Sequence, residues 1–295
     1  MNRSFALASF VVLAACGSEP SDIETTDVAQ PEVETAADAL HMYVLDCGTI
    51  EVSDLDIFST AGDYAGQSDV FTDACFLIRH PDGDLMWDLG LPGILAGAEP
   101  QENGVFTVSL ERTLTDQLTD IGLAPSDIEY VSISHSHFDH VGQIDQFVGA
   151  QWIVHEDEYA AMFPQPGEGS EEDTAGEGNQ FIVFEGFETV SFTGEYDVFG
   201  DGTVVIVPAP GHTPGHTVLQ VTLPETGPVL LTGDLYHRSE SRDLGRIPRF
   251  NADEAQSAAS IEAFEARAAD LGAKVIIQHE PADIDPLPKP PEAMR

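Results

Sequence analysis

The feature that most constrains this chain is a short polar run, Ser134-His135-Ser136-His137-Phe138-Asp139-His140, at the exit of the strand-like stretch Glu129 to Ser134. Side chains alternate faces along a strand, so His135 and His137 can point the same way, while Asp139 and His140 fall on the following turn and can serve a neighbouring ion. Four metal-type side chains do not complete two sites. A fold that uses them must bring further ligands to the same place from distant parts of the chain. Three later residues qualify. His212 lies in the rigid turn Pro208-Ala209-Pro210-Gly211-His212-Thr213-Pro214-Gly215-His216, Asp234 follows Leu230-Leu231-Thr232-Gly233, and His279 follows Val275-Ile276-Ile277-Gln278. Each comes directly after an apolar run, which places all three at one edge of the sheets. His216 is left outside the set, as a support for its turn or for the ligands from behind. Imidazole and carboxylate ligands suit zinc, and two ions roughly 3.5 to 4 Å apart can share a water and lower its pKa towards neutrality. Two Zn2+ are therefore expected, with iron, manganese and cobalt as open alternatives.

The rest of the chain from His41 alternates short β-branched or aromatic runs with helical ones. Strands are expected at His41 to Asp46, Cys75 to His80 and Leu85 to Asp88, with Pro81-Asp82-Gly83 as a tight turn. Leu110, Leu114, Leu118 and Ile121 share a helical face that Gly122 terminates. Trp152 to Val154 and Glu156 to Met162 read as strand then helix, and residues 164–179 as an exposed acidic loop. Further strands are expected near 181–184, 187–193, 203–207, 217–223 and 229–232, then a helix from Asp253 to Leu271 and a strand from Lys274 to Gln278. Two blocks of strands, each followed by helices, fit a pair of packed sheets with helices outside them.

Charge narrows the partners. The 295 residues carry 52 acidic and 11 basic side chains, a net charge of −41. Such a surface repels phosphate backbones and anionic lipid head groups, so nucleic acid is excluded as a partner. Residues 1–16, MNRSFALASFVVLAAC, combine one basic residue, an apolar run and small residues before Cys16. That is a signal peptide, too short to span a membrane as a mature helix, and Leu13-Ala14-Ala15-Cys16 resembles a bacterial lipobox in which the cysteine is lipidated. Residues 17–40 hold seven acids, two prolines and no lysine, arginine or aromatic residue, which describes a flexible tether. The expectation is an exported envelope lipoprotein, in the periplasm or on the outer membrane, attached only through an N-terminal lipid anchor at Cys16, with one folded domain over 41–295. Cys47 and Cys75 remain in that domain, either as buried free thiols or as a disulfide.

The pattern H-x-H-x-D-H, the later P-G-H-T-x-G-H, the G-D at 233–234 and the terminal His279 together resemble the metallo-β-lactamase fold superfamily, over about residues 41 to 280. The resemblance implies an α+β, four-layer αββα sandwich with its site between the sheet edges. It also implies His135, His137 and His212 on one zinc, Asp139, His140 and His279 on the second, and Asp234 as the bridge. Asp139 would in addition orient the nucleophile and help move a proton to the leaving group.

An aspartate at the bridge argues against antibiotic hydrolysis, since the commonest zinc β-lactamases carry cysteine there or lack a bridging carboxylate. Within the superfamily the chain is most similar to N-acyl-homoserine lactone lactonases, the quorum-quenching enzymes, through His135 to Gly142, Trp152-Ile153-Val154 with Glu158-Tyr159, and Val229 to Asp234. That likeness implies a small-molecule lactone or carboxylic ester as substrate. Those lactonases usually place a catalytic tyrosine three residues beyond the bridging aspartate. Here that position is His237, with Tyr236 one earlier, and both are candidate catalytic residues. Phe106 and Phe138 are the candidate apolar substrate contacts. Arg242 and Arg246, from the cluster Arg238, Arg242, Arg246 and Arg249, are the candidate cationic ones, against the plainer role of pairing with surface acids. The competing readings are a phosphodiester or phosphotriester hydrolase on the same metals and a noncatalytic envelope binding module.

Overall fold

A computed structural model describes residues 39–164 and 181–295. The expected signal peptide, Cys16, nearly all of the tether and all but the first residue of the 164–179 loop lie outside the described residues.

Alternation along the strands builds the layers. In β1 (His41–Val52), Met42 and Val44 face one core while Leu45 and Cys47 face another. The same alternation separates Phe76 and Ile78 from Cys75 and Leu77 in β2 (Asp69–His80), and Leu85 and Trp87 from Met86 in β3 (Gly83–Trp87). After a 3-10 turn at Gly93–Leu95 come β4 (Gln101–Asn103) and β5 (Phe106–Ser109), then helix α1 (Leu114–Asp120), β6 (Tyr130–Ser132) and helix α2 (Phe138–Val141). Strand β7 (Gln151–His155), helix α3 (Glu156–Met162) and β8 (Glu188–Phe192) finish an eight-stranded mixed sheet in the order β4-β5-β1-β2-β3-β6-β7-β8.

A second sheet follows. It contains β9 (Tyr196–Asp197), β10 (Val204–Pro208), β11 (Thr217–Leu223), β12 (Gly227–Leu231) and β13 (Lys274–Ile276), in the order β13-β12-β11-β10-β9. Val204, Ile206, Leu219, Val221, Val229 and Leu231 pack against the inner residues of the first sheet. On the outer face of the second sheet, Val218 and Leu230 meet Phe264 and Ala268 of helix α5 (Glu254–Leu271), which follows the short helix α4 (Ser239–Leu244). Leu114 and Leu118 of α1 cover the outer face of the first sheet. Helix α6 (Pro281–Ile284) comes last. The architecture is an α+β, four-layer αββα sandwich.

Three local expectations are corrected and one left open is decided. Residues 182–186 form a 3-10 turn rather than a strand, because Phe184 folds onto Trp152, with ring centroids 4.5 Å apart. Leu110 lies outside α1, whose start is set three residues later by Thr113, its side chain accepting from the Asp116 N–H. The last strand stops at Ile276, which frees Ile277, Gln278 and His279 from the ladder. Cys47 and Cys75 are a disulfide, not free thiols: a bulge between Asp46 and Gly48 sets Cys47 beside β2, with the two Cα atoms 5.8 Å apart.

Candidate metal centre

Every candidate ligand sits where a strand has just ended. β6 leads through Ile133 and Ser134 into the histidine run, the β10–β11 loop carries His212, the turn after β12 carries Asp234, and the segment after β13 carries His279. The structure gathers the seven into two clusters, His135, His137, His212 and Asp234, and Asp139, His140 and His279. In the first, His135 Nε2, His137 Nδ1 and His212 Nε2 lie 2.9, 3.0 and 3.1 Å from one another, and Asp234 Oδ2 is 3.5 Å from His135 Nε2 and 3.3 Å from His212 Nε2. In the second, His140 Nε2 and His279 Nε2 are 3.4 Å apart, and Asp234 Oδ1 is 3.1 and 3.0 Å from them. Asp139 reaches within 3.8 Å of His140 and 3.9 Å of His279. Asp234 thus turns one oxygen to each cluster.

The partners of the other ring nitrogens test whether a cation fits. His212 Nδ1 meets Asn251 Oδ1 at 2.9 Å, His279 Nδ1 the Thr72 carbonyl at 2.8 Å, and His140 Nδ1 Asp88 Oδ2 at 3.1 Å. Those oxygens only accept, so each Nδ1 carries the proton and donates it. His135 Nδ1 is 3.0 Å from the Ser134 hydroxyl. The neutral rings of His140, His212 and His279 are thereby left with Nε2 lone pairs aimed at one another and at a carboxylate, an arrangement that a cation resolves. The residues present fit a pair of divalent cations.

Electrostatics agree. Burial pushes His135 well below the usual imidazole range and His137 down to about 4. With no cation in place the same nitrogens attract protons: burial is the largest single effect at His140 and His279 and opposes a proton there, yet the carboxylates together outweigh it, Asp234 with Asp88 and Asp139 at His140 and Asp234 with Asp139 at His279, holding His140 well above its ordinary value and His279 at about 9. Asp234 is buried too, but His237, His140 and His279 hold it well below the usual carboxylate range. This carboxylate demands positive charge, and protons can supply it only by occupying the nitrogens that face it.

Outside the ligands, several residues build the site; sequence reasoning gave Asp88, Gly233 and Asp73 no role there, and read His216 as a support. Asp88 is fully buried at a φ of 59°; its Oδ1 accepts from the Ser134 N–H at 2.6 Å and its Oδ2 from Gln278 Nε2 at 2.7 Å, besides His140. Its signal was present, since Asp88 also follows an apolar strand directly. His216 donates from Nδ1 to the Ala209 carbonyl and accepts the Asp234 N–H on Nε2, both at 2.9 Å, so it holds the bridging residue's backbone. Gly233 makes this contact possible, because a Cβ there would lie 2.7 Å from His216 Nε2. Asp73 is buried behind the second cluster, neither oxygen meeting a donor, and burial raises its pKa well above the carboxylate range.

A cavity of about 430 Å³ opens over both clusters, walled by Phe58, Phe71, Phe106, Phe138 and Phe250 with Ile50 and Ile57, and floored by His137, Asp139, Asp234, His237 and His279. Phe106 and Phe138, the candidate apolar contacts, both line this cavity. The cationic residue on this cavity is Arg249, not Arg242 or Arg246. Arg242 pairs with Glu265 on α5 and Arg246 with Asp63, because α4 and the left-handed Gly245 carry them away from the opening. Of the loop 91–106 only Phe106 reaches the cavity; Leu91 is fully buried and Ile94 is exposed. The two candidate donors also separate. His237 Nε2 lies 3.0 Å from Asp234 Oδ2, its ring stacked on His279. The Tyr236 side chain packs on the other side, in the core against Phe264, and its hydroxyl donates to Glu265 Oε1 at 2.9 Å.

A shared-sheet-edge site with this donor set on an αββα sandwich defines a class of metal-dependent hydrolases. Residues 69–279 match the metallo-β-lactamase superfamily, and the chain belongs to it. Among its relatives is the N-acyl homoserine lactonase AttM of Azorhizobium caulinodans, 30% identical over 255 residues that cover 82% of this chain and 94% of that protein. AttM of Agrobacterium fabrum is 29% identical over 264 residues, covering 86% and 98%. In fold, the chain is similar to a single-substitution variant of AiiA from Bacillus thuringiensis, solved with N-decanoyl-L-homoserine bound at the active site. The TM-score is 0.72 at 22% identity, covering 86% of this chain and 98% of that one.

Proposed function

We propose that the chain is a dizinc lactonase that opens N-acyl-homoserine lactones, a quorum-quenching activity. The observation that carries this reading is the pairing of two ligand clusters through Asp234 with a cavity walled by five phenylalanines. Similarity to AttM along nearly its whole length supports it. An acyl chain suits the apolar wall, while the lactone carbonyl lies over the polar floor.

His135, His137 and His212 would hold one ion and Asp139, His140 and His279 the other, with Asp234 between them. Bound there, two divalent cations supply Lewis acidity towards a carbonyl oxygen and lower the pKa of water. The protein contributes the rest. Asp88, Asn251 and the Thr72 carbonyl hold three imidazoles in one tautomer and orientation. Opening a lactone adds water across the acyl C–O bond, so the proton released as water adds must reach the departing ring oxygen. Asp139, on the cavity floor, is the carboxylate that carries it. His237 also lines the cavity; its Nε2–H is donated to Asp234 Oδ2, and by turning that N–H from the carboxylate to the substrate it would serve the oxygen that gains charge. Tyr236 is given no catalytic part.

A phosphodiesterase on the same metals has no use for a wall of five phenylalanines, and the cation lining this cavity among the described residues, Arg249, is already paired with Asp56. Elemental analysis should find about two zinc ions per chain. Turnover of N-hexanoyl-homoserine lactone should exceed that of an aryl ester, bis-p-nitrophenyl phosphate and a β-lactam; a preference for the phosphodiester, or no metal uptake, would overturn this reading. The chain is further read as an exported envelope lipoprotein anchored at Cys16, a reading that the Cys47–Cys75 disulfide supports, because such bonds persist in oxidising compartments.

A further inference from the structure

Glu158 takes no part in the chemistry above, yet only 1% of its surface is exposed. It sits on α3, and one of its oxygens serves each half of the chain. Oε1 accepts the Ser136 N–H at 2.7 Å, and Oε2 accepts the Thr213 hydroxyl at 2.7 Å and the Gly215 N–H at 3.0 Å. Ser136 lies between His135 and His137, at the exit of the first sheet. Thr213 follows His212, in a loop of the second. The approach is close enough to require glycine at 215, where a Cβ would come within 2.0 Å of the Glu158 backbone nitrogen.

We infer that Glu158 is a positioning residue for the first metal site, a single carboxylate that sets His135 and His137 at coordinating distance from His212. Hydrogen bonds from N–H and O–H donors to a carboxylate are short and strong, and away from water they hold geometry that neutral contacts would not. Without the carboxylate, the Ser136 and Gly215 N–H groups would be buried without acceptors, so each loop would shift to find one. Asp139, His140 and His279 make no hydrogen bond to Glu158, so its influence is confined to one ion of the two. The inference rests on the dimetal reading of the site.

The test loads the whole chain with zinc and dialyses it against graded chelator. Zinc per chain is measured for the wild type, Glu158→Gln and Glu158→Leu, with circular dichroism to follow the fold and the visible spectrum of the cobalt-loaded protein to follow coordination. Losing partners that orient metal ligands typically weakens metal binding about tenfold to a hundredfold. Glu158→Leu should therefore release one zinc, at chelator concentrations where the wild type keeps two. Glu158→Gln should fall between them, because its amide oxygen still accepts from Ser136 and the Thr213 hydroxyl can turn to accept from the amide, leaving only Gly215 unpaired. If Glu158→Leu does not fold, the glutamine variant decides. Variants that hold both ions as the wild type does, or that lose both in parallel, overturn the inference alone. A wild type that takes up no pair of ions overturns the dimetal reading beneath it.

Discussion

Tyr236→Phe and His237→Ala separate two neighbours that sequence alone leaves equivalent. The Tyr236 hydroxyl donates to Glu265, whose carboxylate Arg242 also grips through Nε and Nη2 at 2.8 and 2.9 Å. A hydrogen bond to a charged acceptor contributes about 1.5–3 kcal/mol when sealed from water. The Glu265 side chain is 41% exposed, so water and Arg242 replace much of what is lost, and about 1 kcal/mol is expected. In a domain of this size that lowers Tm by about 2–4 °C. The ring stays packed on Phe264 and nothing lining the cavity changes, so lactone turnover should be that of the wild type. His237→Ala instead removes the group 3.0 Å from Asp234 Oδ2 and the ring 4.7 Å from Phe58. If His237 stabilises the developing charge, kcat should fall about a hundredfold to a thousandfold, not merely KM rise. Initial rates on N-hexanoyl-homoserine lactone, with calorimetric melting of the same samples, decide the matter. A hundredfold loss of kcat in Tyr236→Phe at unchanged Tm, or wild-type kcat in His237→Ala, would refute the assignment.

Asp234→Ala removes the oxygens shared by both clusters, so zinc content should fall below two per chain and turnover by orders of magnitude; a variant with near-normal rates would show the bridge to be elsewhere. Replacing Cys47 and Cys75 together with alanine opens a loop whose ends are 28 residues apart, worth about 3.5 kcal/mol on the chain-entropy estimate, so denaturant titration should show a loss of that order, and an unchanged midpoint would refute it. Growth in labelled palmitate should tag the precursor, and Cys16→Ala should abolish the tag; unlabelled wild-type protein would leave a plain secretory signal.

The ligand set was legible because each ligand follows an apolar strand directly, and alternation of residues such as Met42, Tyr43, Val44 and Leu45 already separates an inner from an outer face. Contacts made between loops were not legible. Nothing local tells that Asn251 will reach His212 or that Asp88 will reach His140, since both depend on how two sheets dock. Tyr236 and His237 adjoin in sequence but point to opposite sides of the turn after β12, so the choice between them rests on which side faces the ions. Arg249 could not be told from Arg242 or Arg246 by spacing, because α4 and Gly245 decide which arginine turns to the cavity. The disulfide escaped for a similar reason: two cysteines 28 apart say nothing of the bulge that makes them neighbours.

The two ligand clusters are each assembled from both halves of the chain. His135, His137, Asp139 and His140 leave the first sheet, while His212, Asp234 and His279 leave the second. Neither half on its own could enclose either ion, so metal uptake reports that the sheets have met. A ligand that binds only the docked state stabilises it by RT ln(1 + [L]/Kd), about 4 kcal/mol at a thousandfold excess over Kd. Scarcity of metal would then loosen the seam between the halves before it disturbed either sheet, and the Thr217 amide, which donates across that seam to the Ser134 carbonyl at 2.9 Å, should lose its protection from hydrogen exchange ahead of the ladder amides of β1 and β2, which the disulfide joins.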